Sequence, residues 1–246
     1  MSNIFDFKLV FTQIPNLLLY LPITLELAII SMILGITLGL LLAIVKIREV
    51  PVLKQIATFF ISLIRGTPIL VQLYIAYFGI PMFFKWLNYQ YGTDFKVADV
   101  SGFIYAVVAL GINQSAYNAE FIRAALLSVG TGQIEAASSL GMTYFQALRR
   151  IILPEAITVA LPSLGNSLIS VIKGTSLAFT CAVVEMTAQG KIIGGRSYRY
   201  FEVYISLAII YWVITIIIEQ ILKLIEKRLA IPDQVANYVP EDEVRA

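Results

Sequence analysis

The chain has 246 residues, 59% of them hydrophobic and only 14% charged, against about a quarter charged in an ordinary soluble domain. Its mean hydropathy of +0.82 is that of an integral membrane protein. The net charge of +2, with 18 Lys and Arg dispersed along the chain, gives no basic patch for nucleic acid. Histidine is absent, which removes the commonest general base, metal ligand and triad partner.

The start of the chain holds Asp6 and Lys8, and no small-residue cleavage site follows its first apolar run, so a signal peptide is not expected. Charge-free runs at 27–45, 66–84, 100–119, 156–172 and 203–218 approach the ~20 residues that a membrane helix needs. They predict an all-α membrane protein of one domain with five spans, at about 17–46, 55–80, 100–127, 156–173 and 201–225, and a water-facing loop over 130–155.

The first span contains Glu26, and Gly35 and Gly39 four apart, the close-approach pattern of helix packing. In the second, Arg65-Gly66-Thr67-Pro68 predicts a kink or a break, because Pro removes a backbone donor. The third places Asn113, Tyr117 and Glu120 on one face, with Arg123 one turn below. An acid at that depth is a functional candidate by default, and an i, i+3 ion pair with Arg123 is the alternative. The fourth repeats the pattern with Pro162, Asn166, Ser170 and Lys173. Two such stripes suit either a polar route or interhelical hydrogen bonding. Glu185 is a further acid without a partner nearby in sequence, and 174–199 reads as a re-entrant or interfacial piece.

An odd number of spans puts the two ends on opposite sides. With the N-terminus outside, eight basic residues face the cytoplasm (Lys46, Arg48, Lys54, Arg149, Arg150, Lys223, Lys227, Arg228) and six face outward. No internal repeat divides the chain into related halves, and five helices enclose little space, so a pathway between two copies, or between this chain and a close relative, is expected. Cys181 is the single cysteine, which excludes an internal disulfide. The Gly190-Lys191 pair runs on to Ile192, so no phosphate-binding GxxxxGK[ST] is present and any ATP is bound by another chain.

The loop is the sharpest signal. Ala136, Ala137 and Gly141 fall at near-helical spacing, leaving one side of a short helix without bulk. The series Glu135-Ala136-Ala137, Gly141, Ile151, Leu153-Pro154 reads EAA-x3-G-x9-I-x-LP. It resembles the EAA loop of the permease subunits of ATP-binding-cassette (ABC) importers. RGTP at 65–68 with Gln72, AYNAEFIRAALLSVGTGQIEAA at 116–137 and KGTSLA at 173–178 are similar to the polar amino-acid permeases of that group, and the similarity runs from about 21 to 229.

The resemblance implies the type I importer fold, a prokaryotic plasma-membrane location, and transport of a polar amino acid, basic ones included. It implies no cofactor on this chain, ATP and Mg being held by two partner ATPase subunits. It also implies a second permease subunit, expected as a homodimer, and an external binding protein. Glu135, Ala136, Ala137 and Gly141 would dock the ATPase in one helix over 135–147, and Pro154, also of the docking set, would fix the angle into the fourth span. Gln72, Asn113, Tyr117, Glu120, Asn166 and Ser170 would line the solute path, with Glu26 as an outlier. The rival classes are a stand-alone secondary transporter or channel and, more remotely, an intramembrane enzyme, for which no His, metal cluster or GxSxG is present.

Overall fold

A computed structural model describes residues 5–96 and 99–229. Both chain ends, whose sidedness the charge pattern assigns, lie outside these. Among the described residues every regular element is helical.

Two short helices open the chain, α1 (Phe7–Thr12) and α2 (Ile14–Leu18). Asp6 caps α1 by accepting from the amides of Lys8 and Leu9. The long helix α3 (Leu21–Ile47) follows, with Pro22 in its first turn, where a missing N–H breaks no helical bond. A tight turn then leads to α4 (Leu53–Gly66), with Glu49 at φ 50° and Val52 at φ 67°. In this turn the Lys54 ammonium bonds Glu49 and holds its carboxyl below the usual range.

At RGTP, where the sequence allows a kink or a break, the structure has a break. Pro68 drives the preceding Thr67 into extended conformation (φ −114°, ψ 143°), as its ring clashes with a helical neighbour. The chain resumes as α5 (Ile69–Tyr74), passes a wide π turn (Ile75–Gly79) and continues as α6 (Ile80–Tyr91). After it come α7 (Gly102–Ser128), α8 (Thr131–Ser139), α9 (Tyr144–Ala147), a second π turn (Leu148–Ile152) and α10 (Leu153–Gly174). A 3-10 stretch (Thr175–Cys181), α11 (Met186–Ser197) and α12 (Tyr200–Leu229) complete the described chain.

Four helical runs are long and apolar enough to cross a membrane: Leu21–Ile47, Ile69–Tyr91, Tyr144–Cys181 and Tyr200–Leu229. Helix α7 matches α3 at 27 residues, about 40 Å at 1.5 Å per residue, but its buried Asn113, Gln114, Ser115 and Asn118 make it more polar. At 12 residues, α11 is about 18 Å long, short of the ~30 Å hydrocarbon layer.

Helix α7 is the axle of the bundle, packed along α3 and α10 and touched by α4 and α5. Gly35 and Gly39 let α3 approach it: a Cβ at Gly35 would lie 2.6 Å from Gln114 Cβ, and one at Gly39 3.0 Å from the Ala119 amide nitrogen. Contacts between helix ends define the two ends of the bundle. Lys46 meets Glu120, and Thr158 donates to the carbonyl of Leu229, so α3 and α12 finish where α10 begins and α7 nears its last turns, at the loop end. At the far end Glu202 accepts from the Asp6 amide and Ser206 donates to the Val10 carbonyl, docking α1 on α12.

Candidate functional site

Helical spacing of four brings Asn113 and Tyr117 onto one face of α7, and Asn166 and Ser170 onto one face of α10. The two faces meet around a half-open cavity of about 370 Å³, closed on a third side by Ile69 of α5. Four of the seven path candidates line it. Gln114 and Ser167 complete its polar wall, and a reading of the sequence by helix faces passes over both. Their signal is present, since each adjoins a nominated residue, but a one-face rule discards immediate neighbours.

Hydrogen bonds hold this wall. The single hydroxyl hydrogen of Ser167 is shared between Gln114 Oε1 at 2.6 Å and Asn118 Oδ1 at 2.7 Å, tying α10 to α7. Asn113 Nδ2 donates to Gln72 Oε1 at 3.0 Å. Gln72 does not line the cavity. Its Nε2 donates to the carbonyls of Ile64 and Thr67 and to Thr67 Oγ1, so it satisfies the backbone acceptors that Pro68 frees.

Glu120 also stands apart from the cavity. Its carboxylate accepts from Lys46 of α3 and, at 3.0 and 3.1 Å, from Arg123. The ion-pair alternative is therefore the one the structure displays, extended by a cation on a second helix. Glu26 lies in the second turn of α3 with its side chain exposed, away from the residues that line the cavity. Glu185, without a partner in sequence, is fully buried as the N-cap of α11. It accepts from the amides of Thr187 and Ala188 at 2.9 and 2.8 Å and faces Thr24 and Tyr211.

At the loop end the segment expected to be one helix over 135–147 is two, α8 and α9, separated by Gly141. This glycine has φ 77°, and a Cβ on it would meet nothing within 4 Å. Its amide donates to the Ser138 carbonyl and that of Met142 to the Ala137 carbonyl, the Schellman pattern that ends a helix in left-handed conformation. Gly141 is thus set by backbone geometry. Glu135 and Ala136 are exposed, whereas Ala137 is 1% exposed and packs inside its own chain, so it presents no surface to a partner.

In exchange the loop exposes Leu140 (80%), Tyr144 (62%) and Phe145 (69%), large apolar groups that the spacing of small residues does not bring out. Thr143 and Gln146 form a capping box that starts α9, a signature legible as T-x-x-Q. Pro154 follows the second π turn in a helical run unbroken from Tyr144. Having no N–H, it cannot supply the usual i→i−4 donor to the Arg150 carbonyl at the point where the helix widens.

Long apolar helices around an amide-lined cavity, with short amphiphilic helices hung at one end, define a membrane permease. Comparison with known proteins agrees: the chain belongs to the family of binding-protein-dependent transport system inner membrane components, whose pattern matches residues 35–231. It is therefore a permease component of an ABC transport system. It is 44% identical to a probable amino-acid permease protein, YxeN, of Bacillus subtilis (strain 168), over 94% of this chain and 98% of that one. It is 35% identical to the glutamine transport system permease protein GlnP of Escherichia coli (strain K12), over 92% and 99% of the two chains. A crystal structure of an amino acid ABC transporter with histidines superposes with a TM-score of 0.75 at 38% identity, covering 91% of this chain and 99% of the other.

Proposed function

We propose that this chain forms the solute path of an ATP-driven importer of polar, uncharged amino acids, working as one of a pair of permeases coupled to two ATPase subunits that hold ATP and Mg. The observation that carries this reading is the cavity between α7 and α10. Its polar wall is three amides and three hydroxyls, and among the described residues none of those lining it is charged. Amides and hydroxyls donate and accept, which matches a zwitterion and a polar side chain. A cationic side chain would leave water without an acid to receive it, since Glu120 is engaged by Lys46 and Arg123. The basic solute entertained from sequence is accordingly the less favoured choice.

Helix α7 serves as a fifth crossing. Its buried amides are satisfied within the bundle, as intramembrane polar groups must be. The loop end faces the cytoplasm on the charge bias of the sequence, with the N-terminus outside, and solute arrives on an external binding protein. Helices α8 and α9 dock the ATPase through exposed Glu135, Ala136, Leu140, Tyr144 and Phe145, with Gly141 shaping the turn and Pro154 the entry to α10. The exposed apolar loop favours this reading over a stand-alone transporter, which has no use for a docking surface.

The test is reconstitution with the cognate ATPase and binding protein in proteoliposomes, measuring uptake across a panel of neutral, acidic and basic amino acids. Uptake of neutral polar amino acids that needs ATP is expected. Preference for arginine or lysine would overturn the substrate reading, and flux without the ATPase would overturn the whole.

A further inference from the structure

Arg65 is a charged group that the structure brings up to the cavity without lining it. It lies in the last turn of α4, twelve residues from the start of that helix at the loop end, which is about 18 Å along the axis. This places it away from the loop end and at the height of Tyr117, with its side chain exposed at the terminus of α4. Its guanidinium carbon sits 5.3 Å from the ring centroid of Tyr117, and Tyr117 forms part of the cavity wall. The height of its neighbour agrees: Tyr117 is eleven residues before the end of α7, about 17 Å from the same side.

A guanidinium has five donors to spend on carboxylates or carbonyls. Among the described residues the partner of Arg65 is instead the ring of Tyr117, and a ring takes charge without using an N–H. Two acids inside the bundle are committed elsewhere, Glu120 to Lys46 and Arg123, and Glu185 to the α11 amides, and no acid is paired with Arg65 among the described residues. An anion is therefore lacking beside a cavity whose amides and hydroxyls provide none.

Resting on the amino-acid reading above, we propose that Arg65 is the receptor for the solute's α-carboxylate and sets specificity for it. The planar fork binds a carboxylate through two parallel N–H donors, and Tyr117 holds the fork at the cavity edge. The amides of Asn113, Gln114 and Asn166 then meet the ammonium and side chain. Its place beside the Thr67–Pro68 break is part of the device. The break ends α4 at the height of the cavity, so the arginine projects from a helix terminus and is free to turn toward an arriving anion.

The experiment uses the purified permease–ATPase complex without the binding protein, so that discrimination by the latter does not intrude. Binding of L-glutamine, L-asparagine and L-serine is compared with that of their α-carboxamides, which differ in the carboxylate alone. The wild-type complex is expected to prefer each acid at least tenfold, Arg65→Gln to lose about tenfold or more of that preference, and Arg65→Lys to keep part of it, as one charged hydrogen-bonded pair is worth about this much. Arg65→Gln that still carries its ATPase and still discriminates as the wild type does overturns the proposal. So does Arg65→Lys that matches wild type in a preparation where Arg65→Gln fails to assemble. If the wild-type complex binds none of the panel, the amino-acid reading itself falls, a different result from loss of discrimination.

Discussion

The left-handed turn at Gly141 separates two explanations of the EAA loop that coincide in sequence. If the glycine serves close approach of a partner, Ala is the mildest replacement and Asn is worse. If it serves a positive φ, Asn, which visits that region far more readily, is milder than Ala. At φ 77°, a β-carbon added to this residue would find nothing within 4 Å, so no contact offsets the change and Gly141→Ala bears the backbone penalty alone, about 1–2 kcal/mol. That corresponds to a factor of about 5–30 in the local closed-to-open ratio. The two donors of the turn, the amides of Gly141 and Met142, report it directly. Hydrogen exchange at residues 141 and 142 of Gly141→Ala is expected to accelerate by that factor, with exchange in α7 and α12 unchanged because the loop opens locally. Gly141→Asn should accelerate it less, and ATP hydrolysis coupled to uptake should follow the same order. An Ala variant that exchanges and couples like wild type, beside an impaired Asn variant, would refute the reasoning.

Three other perturbations probe the bundle. Val52, a β-branched residue at φ 67°, stores strain that Val52→Gly releases; after the entropy that glycine adds to the unfolded chain, a gain of about 0.5–1 kcal/mol is expected as a rise in melting temperature in detergent. A fall would show that the turn is unstrained. Gly39→Leu forces a side chain into the backbone of α7, where a Cβ already comes within 3.0 Å of Ala119 N, and should destabilise by about 1–3 kcal/mol; an unaltered melt with monodisperse protein would count against the α3–α7 packing. Glu120→Gln strands two cations and Lys46→Met none, since Glu120 keeps Arg123. With Lys46 and Glu120 side chains 16% and 20% exposed, we expect about 1–3 kcal/mol for the first, reduced from the buried-pair range for partial solvent access, and less for the second. The double variant should be less impaired than the sum, and simple additivity would exclude the pair.

Much of the architecture is legible in the sequence because membrane helices announce themselves by length and apolarity. The paired stripes on α7 and α10 are legible for a related reason: a polar residue every fourth position has one face to go to. What escapes is everything decided by a third element. Gln72 reads as a path residue until Pro68 is seen to free carbonyls within its reach. Glu120 reads as a solute ligand until the end of α3 delivers Lys46. The loop between α7 and α10 divides in the same way. Its spacing reads as one slim helix, whereas the Gly141 turn re-aims the second half, buries Ala137 and turns Leu140, Tyr144 and Phe145 outward. Gly and Gln at 141 and 146 carry those signals as a C-terminal stop and a capping box, but small-residue spacing outweighs them.

The join between the axle and the loop is short. Helix α7 ends at Ser128 and α8 starts at Thr131, so two residues link them, and the two helix ends can lie at most about 11 Å apart. Such a tether has no slack to absorb a stroke: a shove on α8 greater than a few ångströms either drags the inner end of α7 or unwinds its final turn. If α8 docks the ATPase as proposed, the first of these tilts the wall that carries Tyr117 and Asn113, and one rod would be both the drive shaft and the gatepost.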